Sequence, residues 1–192
     1  MRNRAGLETR QRILDATRAL LSERGLEGTT VKAVCDTAGV RAGSYYNLFE
    51  SKEQAVMAVM REAITAVDPD PQGTGEDHTR DLVEAYIRFV QDDPTMARVY
   101  LVVALNGSLT DPTIAKRIAR HHEDRTARFS TAIRNDRPEL PEEEITARVE
   151  ALLAALTGYT MQALLDPTFD FASHARRLLT MEPPTAKARG GE

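Results

Sequence analysis

Apolar residues recur every three or four positions along most of this chain, which is the spacing of one face of an α-helix. The first periodic segment is 9–24, and Gly25 follows it as a natural helix end. A second, shorter segment ends at Gly39, and a third covers about 42–49. The pattern therefore predicts three helices within the first fifty residues.

A fourth periodic segment covers 51–67, and residues 68–77 then interrupt the pattern with two prolines and two glycines. Beyond this predicted loop the spacing indicates five further helices, at about 82–90, 95–105, 112–134, 142–165 and 171–181. Residues 95–105 are almost continuously apolar, and we favour helix over strand because Pro94 suits a first helical turn. Residues 183–192 are small and polar, which predicts a frayed tail. The prediction is an all-α fold of about nine helices.

Composition agrees with a helical protein that has an ordinary core. Hydrophobic residues make up 42% of the 192 positions, aromatic residues only 5%, and tryptophan is absent. The single cysteine excludes an intrachain disulfide and a zinc cage built from cysteines. No apolar run approaches the roughly 20 residues that cross a membrane, and the N-terminus has no signal-like apolar region. We therefore expect a cytoplasmic protein with no membrane contact.

The net charge of −4 hides an asymmetry between the two parts of the chain. Residues 1–60 hold nine Lys and Arg against seven Asp and Glu, whereas the remainder holds sixteen against twenty-two. A mildly basic N-terminal part in an otherwise acidic chain favours contact between that part and a polyanion. Ordinary scatter of charge accounts for the same numbers equally well.

The second and third predicted helices are joined by a tight turn, Ala-Gly-Val at 38–40. Such a pair is typical of a helix-turn-helix unit, whose second helix enters the major groove of DNA. The third helix has Gly43 and Ser44 near its start and no acidic residue between Arg41 and Leu48. Since a helix that meets phosphates should lack carboxylates, the pattern indicates DNA binding.

Five short motifs accompany this unit: Gly-Thr-Thr-Val at 28–31, Ala-Gly-Val at 38–40, Gly-Ser at 43–44, Tyr-Asn-Leu-Phe at 46–49 and Ser-Lys-Glu at 51–53. Together they resemble the DNA-binding domain of TetR-type transcriptional regulators, over about residues 9–57. The remaining two-thirds resembles that family's helical domain only in helix count, loop placement and the closing helices. The resemblance implies a helix-turn-helix DNA-binding domain over 1–50 and a helical ligand-binding and dimerisation domain over 51–182.

Four positions are implied by the resemblance to contact the DNA backbone. Thr30, at the start of the second helix, matches a phosphate contact through its hydroxyl or amide. Tyr46 and Lys52 match the family's phosphate-binding tyrosine and lysine. Asn47 stands where a polar residue contacts the backbone or a base edge.

The same resemblance implies four base-reading positions, Arg41, Gly43, Ser44 and Tyr45. An arginine is able to bind guanine O6 and N7 with two hydrogen bonds. Tyr45 has the alternative of packing in the core. The family often has Ser or Thr followed by Lys where this chain has Arg41 and Ala42, which leaves the operator sequence open.

Seven residues are candidate walls of a ligand pocket, namely Tyr86, Phe89, Met96, Tyr100, His122, Arg125 and Phe129. The aromatic and methionine members have the alternative of ordinary core positions. His122 and Arg125 interrupt the apolar face of the 112–134 helix, where unpaired polar groups cost free energy. They either recognise a polar or anionic group on a largely apolar ligand, or form ion pairs with acids of a neighbouring helix.

The predicted 142–165 helix mixes leucines with Ala151, Ala154, Ala155 and Gly158, which permits close approach of another helix. With the 171–181 helix it resembles the pair that forms a four-helix dimer bundle in the family. We therefore expect a homodimer through these two helices, which suits a palindromic DNA site.

The sequence thus favours a repressor that binds a double-stranded operator and is released by a small-molecule effector. An activator, or a constitutive DNA-binding protein of the same fold without a ligand, is the alternative, and a carrier without DNA affinity is a further one. An enzyme is disfavoured because we find no nucleophile–base arrangement, Gly-rich phosphate loop or metal-ligand spacing. No cofactor and no metal are expected.

Overall fold

The computed structural model describes residues 2–110 and 112–180, and these residues form helices and connecting turns. The helices are α1 (Arg2–Gly28), α2 (Val31–Ala38), α3 (Ala42–Tyr46), α4 (Lys52–Ala66), α5 (Thr79–Asp92), α6 (Pro94–Thr110), α7 (Pro112–Asp136), α8 (Glu142–Leu165) and α9 (Phe171–Arg177). The prediction of an all-α fold with about nine helices is confirmed. Within the described part of the chain, no helix is both long and apolar enough to span a membrane.

Several helix ends differ from the predicted ones. α1 begins at Arg2, well before residue 9, and its first turns carry an Arg4–Glu8 ion pair at 3.2 Å. Such a pair four residues apart supports a helix that has no apolar periodicity. At Gly25 the backbone has φ 67°, so the predicted helix end appears as a kink before the last turn of α1.

α6 also runs further than predicted, through Asn106 and Gly107 to Thr110. A glycine inside a helix costs only about 1 kcal/mol relative to alanine, and the surrounding helix overrides it. α3 is shorter than predicted and ends at Tyr46. α9 ends at Arg177, followed by a turn, while the predicted end at Met181 and the predicted tail lie outside the described residues.

The described residues of Met1–Ala66 and Asp93–Ile118 form one compact unit. Within it α1 packs against α2, α4 and α6, and α2 packs against α3. Its core is built from fully buried side chains on these helices, including Ile13, Leu14, Leu20, Val34, Val56, Val59 and Met96. This core places α2 and α3 side by side.

The described residues of Val67–Asp92 and Ala119–Glu192 form a second unit, in which α9 packs against α5 and α8. Its core includes Val83, Ile87, Ile145, Val149 and Leu156. The predicted 68–77 loop is helix-free and is held by Arg128 of α7. The Arg128 guanidinium donates to Asp68 Oδ1 through Nη2 and to Asp77 Oδ2 through Nε, each at 2.6 Å.

Candidate nucleic-acid interface

The turn between α2 and α3 depends on a cap and a glycine. Thr30 precedes α2, and its Oγ1 accepts a hydrogen bond from the Ala33 N–H at 3.1 Å. Gly39 ends α2 with φ 64° and ψ 38°, a left-handed conformation that side chains rarely adopt. Its N–H bonds back to the Cys35 carbonyl. These two residues set the direction in which the chain enters α3.

Tyr45 is a core residue, and the prediction that it reads bases is wrong. Its side chain is 0% exposed, and its hydroxyl donates to the Ser51 carbonyl at 3.1 Å. The ring packs 5.7 Å from the ring of Phe49. Burial raises the pKa of the Tyr45 phenol to about 12. Tyr45 therefore supports α3 from within and does not face DNA.

The other predicted positions on α3 form an exposed face. Tyr46 is 56% exposed, and Arg41, Gly43, Ser44 and Asn47 are exposed beside it. Nothing lies within 4 Å of the point where a Cβ on Gly43 would stand, so a flat surface such as a base pair has room to approach. Arg41 makes no side-chain cap on α3, which leaves its guanidinium available to an outside acceptor.

Lys52 lies in the first turn of α4, as predicted, but it also has an intramolecular role. Its Nζ donates to the Leu26 carbonyl at 3.2 Å and lies 4.0 Å from Glu53 Oε1. Since an ammonium group has three donors, the bond to Leu26 leaves N–H groups for another acceptor. The sequence pattern does not predict this contact, because its partners are 26 residues apart and have no local signal.

The N-terminus of α4 is stabilised beside Lys52 by two reciprocal hydrogen bonds. Ser51 Oγ accepts from the Gln54 N–H at 3.2 Å, and Gln54 Oε1 accepts from the Glu50 N–H. The arrangement resembles a capping box, except that the Gln54 side chain bonds the residue before the cap and not Ser51 itself. It holds Lys52 close to the exposed face of α3 along the chain.

The predicted pocket residues are divided between the two units. Met96, fully buried, and Tyr100, half-buried, belong to the first unit. The remaining five belong to the second unit, where Phe89 and Phe129 are buried, Tyr86 and Arg125 are half-buried and His122 is exposed. His122 and Arg125 therefore have different surroundings, although sequence periodicity placed them on one face.

In the second unit, Arg125 lies against Tyr86. The guanidinium carbon of Arg125 is 5.3 Å from the centroid of the Tyr86 ring. The Tyr86 hydroxyl lies 3.0 Å from Thr160 Oγ1, which itself donates to the Leu156 carbonyl. Tyr86 is therefore the donor in its bond with Thr160. Among the described residues no carboxylate forms an ion pair with Arg125, so the predicted ion-pair alternative is not observed there.

The capped α2, the glycine turn and the exposed, carboxylate-free face of α3 have the arrangement of a helix-turn-helix unit. Residues 13–59 match the family described as bacterial regulatory proteins of the tetR family. The chain is 44% identical over 52 residues to the HTH-type transcriptional repressor KstR2 of Rhodococcus jostii, a match that covers 27% of this chain and 26% of that protein. The chain thus spans about a quarter of the length of this relative.

Solved structures share the fold over almost the whole chain. SmeT, the repressor of the Stenotrophomonas maltophilia multidrug efflux pump SmeDEF, has a TM-score of 0.67 at 20% identity and covers 90% of this chain and 88% of its own. The multidrug binding protein EbrR, complexed with malachite green, has a TM-score of 0.62 at 24% identity, with 91% and 98% covered. Residues 13–59 thus have the sequence pattern of the tetR family of bacterial regulatory proteins, and these solved structures show the same fold over most of the chain.

Proposed function

We propose that this protein is a transcriptional repressor that binds a palindromic operator and leaves it when a small molecule binds the ligand-binding domain proposed for residues 51–182. The observation that carries the proposal is the exposed face of α3 beside the capped N-terminus of α2. Further support comes from KstR2 and SmeT, which are both named as repressors, and from EbrR, which was solved with a small molecule bound. Such a regulator works in the cytoplasm, where its DNA lies.

The proposed DNA contacts follow from exposure and chemistry. Tyr46, Asn47 and Lys52 offer hydroxyl, amide and ammonium groups to backbone phosphates. Thr30 stands at the N-terminus of α2, where free N–H groups favour an anion. The base readers are Arg41, Gly43 and Ser44, with Arg41 suited to guanine. We place these contacts in a DNA-binding domain over 1–50 that Lys52 extends.

A second copy of the chain is the proposed partner of α8 and α9. On α8, Met161 is 58% exposed and Leu165 is 70% exposed, and Ala154 and Gly158 lie exposed on the same face. Large apolar side chains beside small residues are suited to close helix packing, and covering them removes apolar surface from water. Two-fold pairing also supplies two α3 helices for the two halves of a palindrome. The dimer and the effector site belong to the proposed 51–182 domain.

Release from DNA follows if the effector binds one dimer conformation better than the other. The favoured conformation then holds its two α3 helices at a separation that no longer matches the half-sites. An activator, or a DNA-binding protein without a ligand, would not lose operator affinity when an effector is added.

Selection of DNA sequences bound by the full chain, followed by fluorescence anisotropy at two salt concentrations, tests the DNA contacts. Tyr46→Phe and Lys52→Ala should each weaken binding about tenfold on every sequence, because each removes a phosphate contact. Lys52→Ala should also reduce the dependence of affinity on salt. Arg41→Ala should change the preferred sequence. If Tyr46→Phe and Lys52→Ala both bind selected DNA normally, the proposed docking is wrong.

A further inference from the structure

Two arginines on α7 stand three residues apart in opposite surroundings. Arg128 forms ion pairs with two carboxylates, Asp68 and Asp77, each at 2.6 Å. Arg125 lies against the face of Tyr86, and its Nε is buried without a hydrogen-bond partner. The part of the chain that the structure describes provides Arg125 with no carboxylate. α7 thus carries one arginine paired with two carboxylates and another that has no carboxylate and whose Nε has no hydrogen-bond partner among the described residues.

A buried guanidinium nitrogen without an acceptor costs free energy that contact with an aromatic ring offsets only in part. The next residue repeats the anomaly, because Thr126 Oγ1 is also buried and has no hydrogen-bond partner. These are the two side-chain atoms of this kind among the residues described. Unsatisfied polar atoms that cluster in one turn of a helix indicate a site completed by something outside the chain.

Tyr86 is suited to position Arg125 but not to bind the ligand through its own hydroxyl. That hydroxyl donates to Thr160, which holds the ring in place. The centroids of Phe89 and Phe171 lie 6.2 Å from that of Tyr86, so an apolar aromatic cluster adjoins the guanidinium. The combination offers one fixed cation beside aromatic surface.

We propose that Arg125 binds a carboxylate of the effector, so that the effector is an apolar molecule with an anionic group. A carboxylate accepts two parallel hydrogen bonds from a guanidinium. A neutral amide in place of the carboxylate, or an ammonium group in place of the guanidinium, does not reproduce this geometry. This inference rests on the proposed function and deepens it, because it names the chemical class of effector that the proposed 51–182 domain binds. It makes Arg125 a binding residue and Tyr86 a positioning residue.

The first test measures unfolding of the full chain in urea without any ligand. Arg125→Met removes a buried Nε that has no hydrogen-bond partner, and should leave the urea midpoint unchanged or raise it. Arg128→Met, the matched control, leaves Asp68 and Asp77 without their partner and should lower the midpoint clearly. An Arg125→Met midpoint as low as that of Arg128→Met would mean that Arg125 is a structural residue, and would overturn the proposal.

The second test compares carboxylates with amides of the same skeleton, namely 2-naphthoate with 2-naphthamide and decanoate with decanamide. At least one carboxylate should raise the Tm of the full chain with increasing concentration, and its amide should do so at least about tenfold less effectively. Arg125→Met should abolish this difference, Arg125→Lys should retain part of it, and Arg128→Met should keep it. No carboxylate-selective effect in wild type, or an undiminished effect in Arg125→Met, overturns the proposal.

Anisotropy with the selected operator separates this inference from the proposed function. If amides and carboxylates release the protein from DNA equally well, the effector-responsive repressor stands and the anionic class is wrong. If a carboxylate binds through Arg125 and leaves operator affinity unchanged, the anion-binding site at Arg125 stands and the proposed release mechanism is wrong.

Discussion

Two adjacent tyrosines at the end of α3 show how strongly a single residue's role depends on the direction of its side chain. Tyr45 is enclosed by the core of the first unit, whereas Tyr46 faces outward. Their rings meet edge to face at 5.6 Å, so the buried tyrosine helps to hold the exposed one. A change at Tyr45 is therefore expected to act on stability, and a change at Tyr46 on DNA binding.

Tyr45→Phe should destabilise the protein by about 1 kcal/mol, because it removes the hydroxyl bond to the Ser51 carbonyl, which keeps only the longer 3.5 Å bond from the Ala55 N–H. Urea unfolding measures the loss. The folded-state pKa of Tyr45 is raised from 10.0 to about 12, so the unfolded chain releases this proton first as pH rises. The advantage of wild type over Tyr45→Phe should therefore be complete below pH 10 and disappear between pH 10 and 12.

Tyr46→Phe is the control for this pair. Its hydroxyl is on an exposed side chain, so the free energy of unfolding of this variant should match that of wild type. An equal loss of stability in both variants, or an alkaline transition that Tyr45→Phe leaves unchanged, would contradict the assignment of Tyr45 to the core.

At the scale of a single element, the N-terminus of α2 is capped by Thr30, and we propose that it also contacts a DNA phosphate. The Thr30 hydroxyl caps the helix from within, while the free N–H groups of its first turn favour an outside anion. Capping and phosphate contact make different demands on residue 30, since only the second is sensitive to the sign of its charge.

Thr30→Asp should keep the cap and lose DNA affinity. Aspartate is as good an N-cap as threonine or better, so stability in urea should be preserved. Its carboxylate would stand near a DNA phosphate, and operator affinity should fall at least about tenfold through like-charge repulsion. Thr30→Ala is the matched variant, which should lose about 1 kcal/mol of stability. Wild-type operator affinity in Thr30→Asp would show that this helix end does not approach the backbone.

At the scale of the whole molecule, the acidic net charge of the chain makes the proposed dimerisation important for DNA binding. The net charge is −4, and residues 1–60 hold only two more basic than acidic residues. A single short α3 on such a weakly basic segment has little electrostatic attraction for DNA, so two copies of this segment on one palindrome are needed for useful affinity. The proposed α8 and α9 interface is thus a condition for function.

Leu165→Glu combined with Met161→Glu should convert the protein to a monomer and abolish operator binding, because four carboxylates would face each other across the two-fold axis. Sedimentation velocity measures the oligomeric state. Leu7→Glu is the matched control, since Leu7 is an equally prominent exposed leucine on α1 and its replacement should leave the dimer intact. A dimeric double variant would exclude this face as the interface.

The properties that the sequence predicted correctly are those that depend on neighbours along the chain. Helical periodicity located α8 to the residue, and motif spacing located the turn at Gly39 and the start of α4. Helix ends such as those of α1 and α6 were less predictable, because ion pairs and the surrounding helix extended them past the local signals. Local order of this kind arises from contacts three or four residues apart.

The roles of Tyr45, Lys52, Arg125 and Arg128 were decided only by the tertiary structure. Periodicity placed Arg125 on an apolar face, but what it meets depends on Tyr86 of another helix. Arg128 bonds to carboxylates that lie 51 and 60 residues away, in a loop whose sequence has no hydrophobic periodicity from which these contacts could be predicted. Sequence by itself determined the helices and the DNA-binding motif, since both are set by local spacing. The three-dimensional fold decided which polar groups are satisfied, since burial and pairing depend on residues far apart in the chain.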